Sequence, residues 1–325
     1  MARYRRVQTI AHDIGPTGQF LLSVTSADVQ ITAGEGGAVE VQATFEVSAS
    51  NEAEADTVFE SIKLQVESSA GRLDVIERDD RTGLGAAFGQ LFGGRHVELE
   101  EVAVTAPVEA SIEVRSVSGD LRSSGFRGPQ RLQTVSGDVR AIEAGGAIDI
   151  DSVSGDVSLR AVAPVRLKSN TVSGDQSVEA PLFEQLQANA VSGDASIDGG
   201  LAAGEIHRID TVSGDVRLAS PTGMTVSVRG LSSDVHASVP HRVEGSTDRR
   251  RLIVGDGAAT VNFNSMSGDL SVVSSRQAAT EAPKPAMPAG PAAAPTADER
   301  LAILDALEKG EIDVDEALRR LGSET

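Results

Sequence analysis

TVSGDVRAIEAGGAIDIDSVSGDVSLR, residues 134–160, writes one five-residue phrase twice: Val135–Val139 and Val153–Val157 both read Val-Ser-Gly-Asp-Val. The phrase returns at Val212–Val216. As Val-Ser-Gly-Asp, its glycine falls at Gly119, Gly137, Gly155, Gly174, Gly193 and Gly214, at intervals of 18, 18, 19, 19 and 21 residues. Degenerate copies follow as LSSD (231–234) and MSGD (266–269), and the spacing of 35 residues before the last copy has room for one coil whose phrase has decayed. Apolar residues sit five and three positions before the valine (Ile112 and Val114, Ile148 and Ile150, Val226 and Val228, Val261 and Phe263). They also sit one and three after the aspartate (Val157 and Leu159, Val216 and Leu218, Leu270 and Val272). Each repeat thus reads as two short strands of period two joined by Ser-Gly-Asp. Glycine supplies the positive φ of a tight corner, and aspartate bonds back to nearby backbone N–H groups.

A unit this short cannot bury its apolar face alone, but stacked units can, hydrogen-bonding as neighbouring strands about 4.8 Å apart. The predicted fold is all-β: a β-solenoid with one short inserted helix and a small C-terminal helical hairpin. A sandwich is the alternative, but its strands rarely repeat one turn phrase at near-constant spacing. Gly119, Asp120, Gly137, Asp138, Gly155, Asp156, Gly174, Asp175, Gly193, Asp194, Gly214, Asp215, Gly268 and Asp269 are then structural corners. Carboxylates stacked at that spacing repel by roughly 1 kcal/mol per neighbour in water. Hydrogen bonds within each aspartate's own corner could offset this, as could divalent cations between coils. The calcium-binding nonapeptide repeat is absent, which favours the metal-free corner.

The rest of the chain divides by composition. Residues 1–19 read as a lead-in. Residues 20–105 form an N-terminal β region with a worn Ser-Ala-Asp corner at 26–28. It carries an inserted helix capped by Asn51, with Ala55, Val58, Phe59 and Ile62 on one side, and a Gly/Phe loop at 81–95. The repeats fill 106–275, and a Pro/Ala-rich linker covers 276–295. From 296 to 325 two capping boxes, Thr296 with Glu299 and Asp313 with Glu316, open two short amphipathic helices. Their leucines, Leu301, Leu304, Leu307, Leu318 and Leu321, are the expected contact for a protein partner or a second copy, because two such helices are too small to fold alone.

Several functions are disfavoured. A formal charge of −19 argues against nucleic acid as a partner. There is no run of 18 apolar residues and no signal-peptide pattern, which points to the cytoplasm, with any membrane contact peripheral. The glycines at 83, 85 and 89 do not make a dinucleotide fingerprint. The five histidines, His12, His96, His207, His236 and His241, never reach metal-ligand spacing, there is no cysteine, and no G-x-S-x-G elbow occurs. No enzyme activity, catalytic residue, metal or cofactor is expected.

The VSGD corners, the β-rich start with its inserted helix and the Gly/Phe loop resemble the bacterial putative-adhesin family of unknown function. DERLAILDALEKGEIDVDEALRRLG, residues 298–322, resembles the SHOCT-like helical domain often joined to it. The resemblance implies a β-solenoid and a link to envelope-stress response or surface organisation, and it carries over no catalytic residues. The expected function is a non-enzymatic scaffold or interaction protein, a rigid rod with a tethered docking module. The alternative is a glycan-binding or glycan-acting β-helix, against which the lack of Trp counts.

Overall fold

The computed structural model describes residues 2–77, 97–232, 234–246 and 249–275. They belong to a compact unit, Met1–Ala278, followed by a second unit, Ala279–Thr325. The Gly/Phe loop 81–95, the linker and the hairpin with Leu301, Leu304, Leu307, Leu318 and Leu321 lie outside the described residues.

Residues 2–13, expected as a lead-in, form strand β1 (Ala2–Asp13). The first coil is β2 (Gln19–Val24), a corner at Ser26, Ala27 and Asp28, and β3 (Asp28–Gly34). Then come β4 (Ala38–Ala49), helix α1 (Glu52–Ile62), β5 (Gln65–Ser69), β6 (Arg72–Ile76) and β7 (Val97–Pro107). The stack resumes with β8 (Ser111–Ser118), β9 (Leu121–Ser124) and β10 (Gln130–Ser136). Strands β11 (Val139–Ser154), β12 (Val157–Ser173) and β13 (Gln176–Ser192) each run from one corner to the next. They are followed by β14 (Ala195–Leu201), β15 (Ile206–Ser213) and β16 (Val216–Ala219). Register shifts between Ile142 and Gly146, between Arg160 and Arg166 and between Ala180 and Leu182 bend the long strands into the second turn of each coil.

Neighbouring coils pair in parallel, one residue over its counterpart: Leu121 on Val139, Val139 on Val157, Val157 on Gln176. The apolar positions therefore stack into continuous rows between the strands before the corner and those after it. Every residue of the sequence-derived pattern, from Ile112 and Val114 to Leu270 and Val272, is buried. Burying one such aliphatic side chain contributes about 1.5–3 kcal/mol, and the rows repeat that gain coil after coil.

Antiparallel strands and a helix finish the ends. β1 pairs with β4 along its whole length, and β4 pairs with β7, which lies parallel to β3. α1 packs on β4 with Phe59 edge-on to Phe45, ring centroids 5.6 Å apart. Asn51 Oδ1 accepts the Glu54 N–H and Glu54 Oε2 accepts the Ser50 N–H, both at 2.9 Å, so the helix starts where its cap residue requires.

The far end departs from the expected order. It comprises β17 (Met224–Ser232), β18 (Val235–Ala237), β19 (His241–Ser246), β20 (Arg249–Val254), β21 (Ala259–Ser267) and β22 (Leu270–Val273). The gap between LSSD and MSGD holds no decayed coil. It is an antiparallel hairpin, β19–β20, attached to β17. The MSGD coil then returns beneath the LSSD coil: β21 lies between β15 and β17, and β22 between β16 and β18. Spatial order is thus Gly214, Gly268, Asp234, not sequence order.

Candidate functional site

Stacking dictates the corner chemistry. Each repeat glycine has φ between 111° and 141°, and a Cβ added to Gly137, Gly155, Gly174, Gly193, Gly214 or Gly268 would overlap the carbonyl oxygen of the corner beneath. Among the described residues the first corner has no corner beneath it, and it carries Ala27, at an ordinary φ, where the VSGD corners carry glycine. From the sequence, the aspartates are expected to bond within their own corners; they bond instead to the neighbouring coil. Each accepts the backbone N–H of the next coil's aspartate: Asp120 N–H to Asp28 Oδ1 at 3.0 Å, then 138 to 120, 156 to 138, 175 to 156, 194 to 175, 215 to 194, 269 to 215 and 234 to 269, at 2.8–3.1 Å. The residue after each aspartate returns a bond to the next aspartate's carbonyl, as Val139 N–H does to Asp156 O at 2.9 Å. Eight charge-assisted bonds therefore run along the edge of the stack and oppose the repulsion between carboxylates.

Asp156→Asn keeps the Oδ1 acceptor and removes one charge, so the melting midpoint should move little. Asp156→Ala leaves the Asp175 N–H without its partner and should cost about 1 kcal/mol in denaturant unfolding. We expect calcium and EDTA to leave the melting temperature of the wild type unchanged. A large calcium-dependent rise would assign the ladder to metal binding.

The phrase's own valine points the other way. Positions three and one before it face the core, so the valine faces solvent. Val117, Val135, Val153, Val172, Val191, Val212 and Met266 form a row of seven apolar side chains, each 42–55% exposed, at successive coils. Two positions earlier on the same face runs a polar row: Arg115, Gln133, Asp151, Asn170, Asn189, Asp210 and Asn264. The two rows, Val117 excepted, line a groove of about 730 Å³. The polar row is internally bonded. Gln133 Nε2 and Asn170 Nδ2 donate to Asp151 (3.0 and 2.6 Å), Asn189 Nδ2 to Asn170 Oδ1 (2.7 Å) and Asn264 Nδ2 to Asp210 Oδ1 (2.5 Å). Burial pushes the Asp151 carboxyl up. The amide bonds from Asn170 and Gln133, with the charges of Lys168 and Arg131, outweigh it and hold the group below the usual carboxylate range. The face is thus an apolar ridge with a pre-oriented amide margin.

Sequence reasoning singled out the corners and passed over this row, although the signal was present. With the residue three before the valine in the core, period two puts the valine outside. Of the histidines, His12 Nε2 meets Ser69 O at 2.9 Å and His241 Nδ1 meets Val239 O at 2.9 Å, while His96 lies outside the described residues. Among the described residues no group of three or more His, Asp or Glu is placed to hold a metal, and no helix is long and apolar enough to cross a membrane.

His207 occupies a core position, in register with Val261, with no exposed surface. Burial lowers its pKa, against opposing pulls from the Ala202 carbonyl 3.1 Å from Nε2 and from the Glu205 charge. The folded imidazole therefore takes up its proton at lower pH than the unfolded one. Stability should be level above the ordinary histidine pKa of about 6.5 and fall below it, down to the depressed folded pKa. Denaturant midpoints between pH 7.5 and 5.5 should show this fall in the wild type and a flatter profile in His207→Leu.

These features define a class: a parallel β-solenoid with a ridged, amide-edged face. The profile of the Toastrack DUF4097 family matches residues 19–273, and the chain belongs to that family. Among solved structures it is similar to a "putative adhesin" from Bacteroides fragilis NCTC 9343, at 14% identity over 82% of this chain and 97% of the other, with a TM-score of 0.41. It is also similar to a "putative cell adhesion protein" from Clostridium sporogenes ATCC 15579 (11%, 83% and 100%, 0.25). A third is a "putative lipid binding protein" from Parabacteroides distasonis ATCC 8503 (9%, 82% and 96%, 0.29). No curated protein matches the chain.

Proposed function

We propose that this chain is a non-enzymatic interaction protein whose solenoid presents the valine ridge and amide margin as a protein-binding face, with the hairpin at 296–325 as a second docking module. The observation that carries the reading is the ridge. Seven coils expose an aliphatic side chain at the same position, where a soluble rod needs none. The regular ladders hold that face rigid, so little ordering entropy opposes binding.

The test is capture and sizing of the full chain from native cells. Replacing Val135, Val153 and Val172 together by Lys should remove bound protein or reduce the size of the particle while the far-UV β signal and melting persist. Leu304→Asp with Leu318→Asp tests the hairpin in the same way. If the triple-lysine chain keeps both its bound proteins and its size, the ridge is not a binding face.

A further inference from the structure

We propose that the ridge binds the same ridge of a second copy of this chain, with the coils running in opposite order about a twofold axis along the strand at Val172. The inference rests on the reading of the ridge as a protein-binding face and names its partner.

Period matching selects the occupant. The ridge repeats at the interstrand distance, about 4.8 Å, for seven rungs. A helix repeats every 5.4 Å and loses register by about 3.6 Å over six intervals, most of a rung. An extended strand laid along the ridge places same-face side chains about 6.7 Å apart and loses register sooner. Another stack of β-coils keeps it throughout, and this chain is such a stack.

The polar margin selects the direction. Reversed about Val172, Val117 meets Met266, Val135 meets Val212 and Val153 meets Val191. The margin then sets Asp151 opposite Asn189, Asp210 opposite Gln133 and Arg115 opposite Asn264, with Asn170 opposite itself. Each carboxylate faces an amide that can donate to it. A twofold along the solenoid would keep the coils in the same order and turn the margin toward the partner's corners, placing Asp151 and Asp210 against the row of corner aspartates. Charge disfavours that arrangement. The next row out, Glu113, Arg131, Asp149, Lys168, Gln187, Arg208 and Asn262, forms a rim. The reversal sets Arg131 opposite Arg208 and Lys168 opposite itself, but each of these cations already meets a carboxylate of its own chain, Asp151 at 3.8 Å, Asp210 at 4.0 Å and Asp149 at 3.7 Å respectively, which screens the like charges.

Seven half-exposed side chains with their margin offer roughly 500 Å² per copy, about 1,000 Å² for the pair, the lower bound for a specific interface. The dimer is therefore concentration-dependent.

Sedimentation of the full chain across the micromolar range should show a monomer–dimer equilibrium. Val172→Arg puts two cations on the axis and should weaken it at least tenfold, as should Val153→Lys. Adding Val191→Asp to Val153→Lys restores complementary pairs only when coils run in opposite order, so the double variant should regain dimer. Leu304→Asp with Leu318→Asp should leave the equilibrium in place. A wild type that stays monomeric, a dimer indifferent to Val172→Arg, or a double variant no better than Val153→Lys would each overturn the inference. If the triple-lysine chain still loses a different bound protein in those cases, the binding-face reading survives without it.

Discussion

Gly155→Ala should shift the denaturant midpoint by the equivalent of about 3–5 kcal/mol, a large effect for one methyl group. Two costs add. Gly155 has φ 129°, which an L side chain adopts only under strain of about 1–3 kcal/mol. The new Cβ also meets the Gly137 carbonyl oxygen, a backbone atom held in place by the ladder, so relief requires the coils to part. Parting them stretches Gly137 N–H to Ser154 O (3.1 Å), Val139 N–H to Asp156 O (2.9 Å) and Asp156 N–H to Asp138 Oδ1 (2.9 Å) together. Gly36→Ala separates the two costs. Gly36 also has positive φ, at 92°, but nothing lies within 4 Å of an added Cβ, so about 1 kcal/mol is expected there. Equal shifts for the two variants would show that close approach between corners is not what reserves the position for glycine.

Phe263→Ala should cost about 3–5 kcal/mol, at the upper end for a core truncation. Phe263 is fully buried and lies in register between Ile209 on one side and Val228 on the other. Ladder pairing fixes both neighbours, so they cannot close over the cavity as they would in a looser core. The loss should also be local. Among the described residues, β17 and β18 pair with the rest of the stack only through the coil carrying Phe263, and the β19–β20 hairpin pairs with β17. Hydrogen exchange should therefore quicken over 224–273 while 130–200 stays protected. Uniform loss of protection along the whole chain would contradict nearest-neighbour coupling between coils.

The coil plan was legible because each of its parts has a local cause. The Gly155 corner, the Ile148/Ile150 pair before it and the Val157/Leu159 pair after it are bound to period two and to one turn. The cap at Asn51 was legible for the same reason. Coil order at the C-terminal end was not. LSSD and MSGD both read as the next corner after Gly214, and only non-local pairing of β21 with β15 decides between them. The target of the aspartate bonds was also hidden, since its own corner and the next coil offer the same N–H donor at different sequence distances. Strand β1 lacked a signal of its own, because its inward side chains are only half-covered and β4 supplies its place. The valine ridge was legible by parity alone, in the same alignment that revealed the corners.

The inserted final coil separates the order of synthesis from the order of assembly. Up to β16 each new coil can settle on one already made, so the stack can lengthen as the chain emerges. β17 and β18 have no native seat until residues 259–273 arrive, since Leu270 N–H bonds Asp234 O on one side and Val216 N–H bonds Asp269 O on the other. A chain interrupted after Val254 would present the Asp234 corner directly to the Asp215 corner, in parallel register and with the same apolar parity. Residues 259–273 would then have to displace that contact before β21 and β22 could take their places between the two coils.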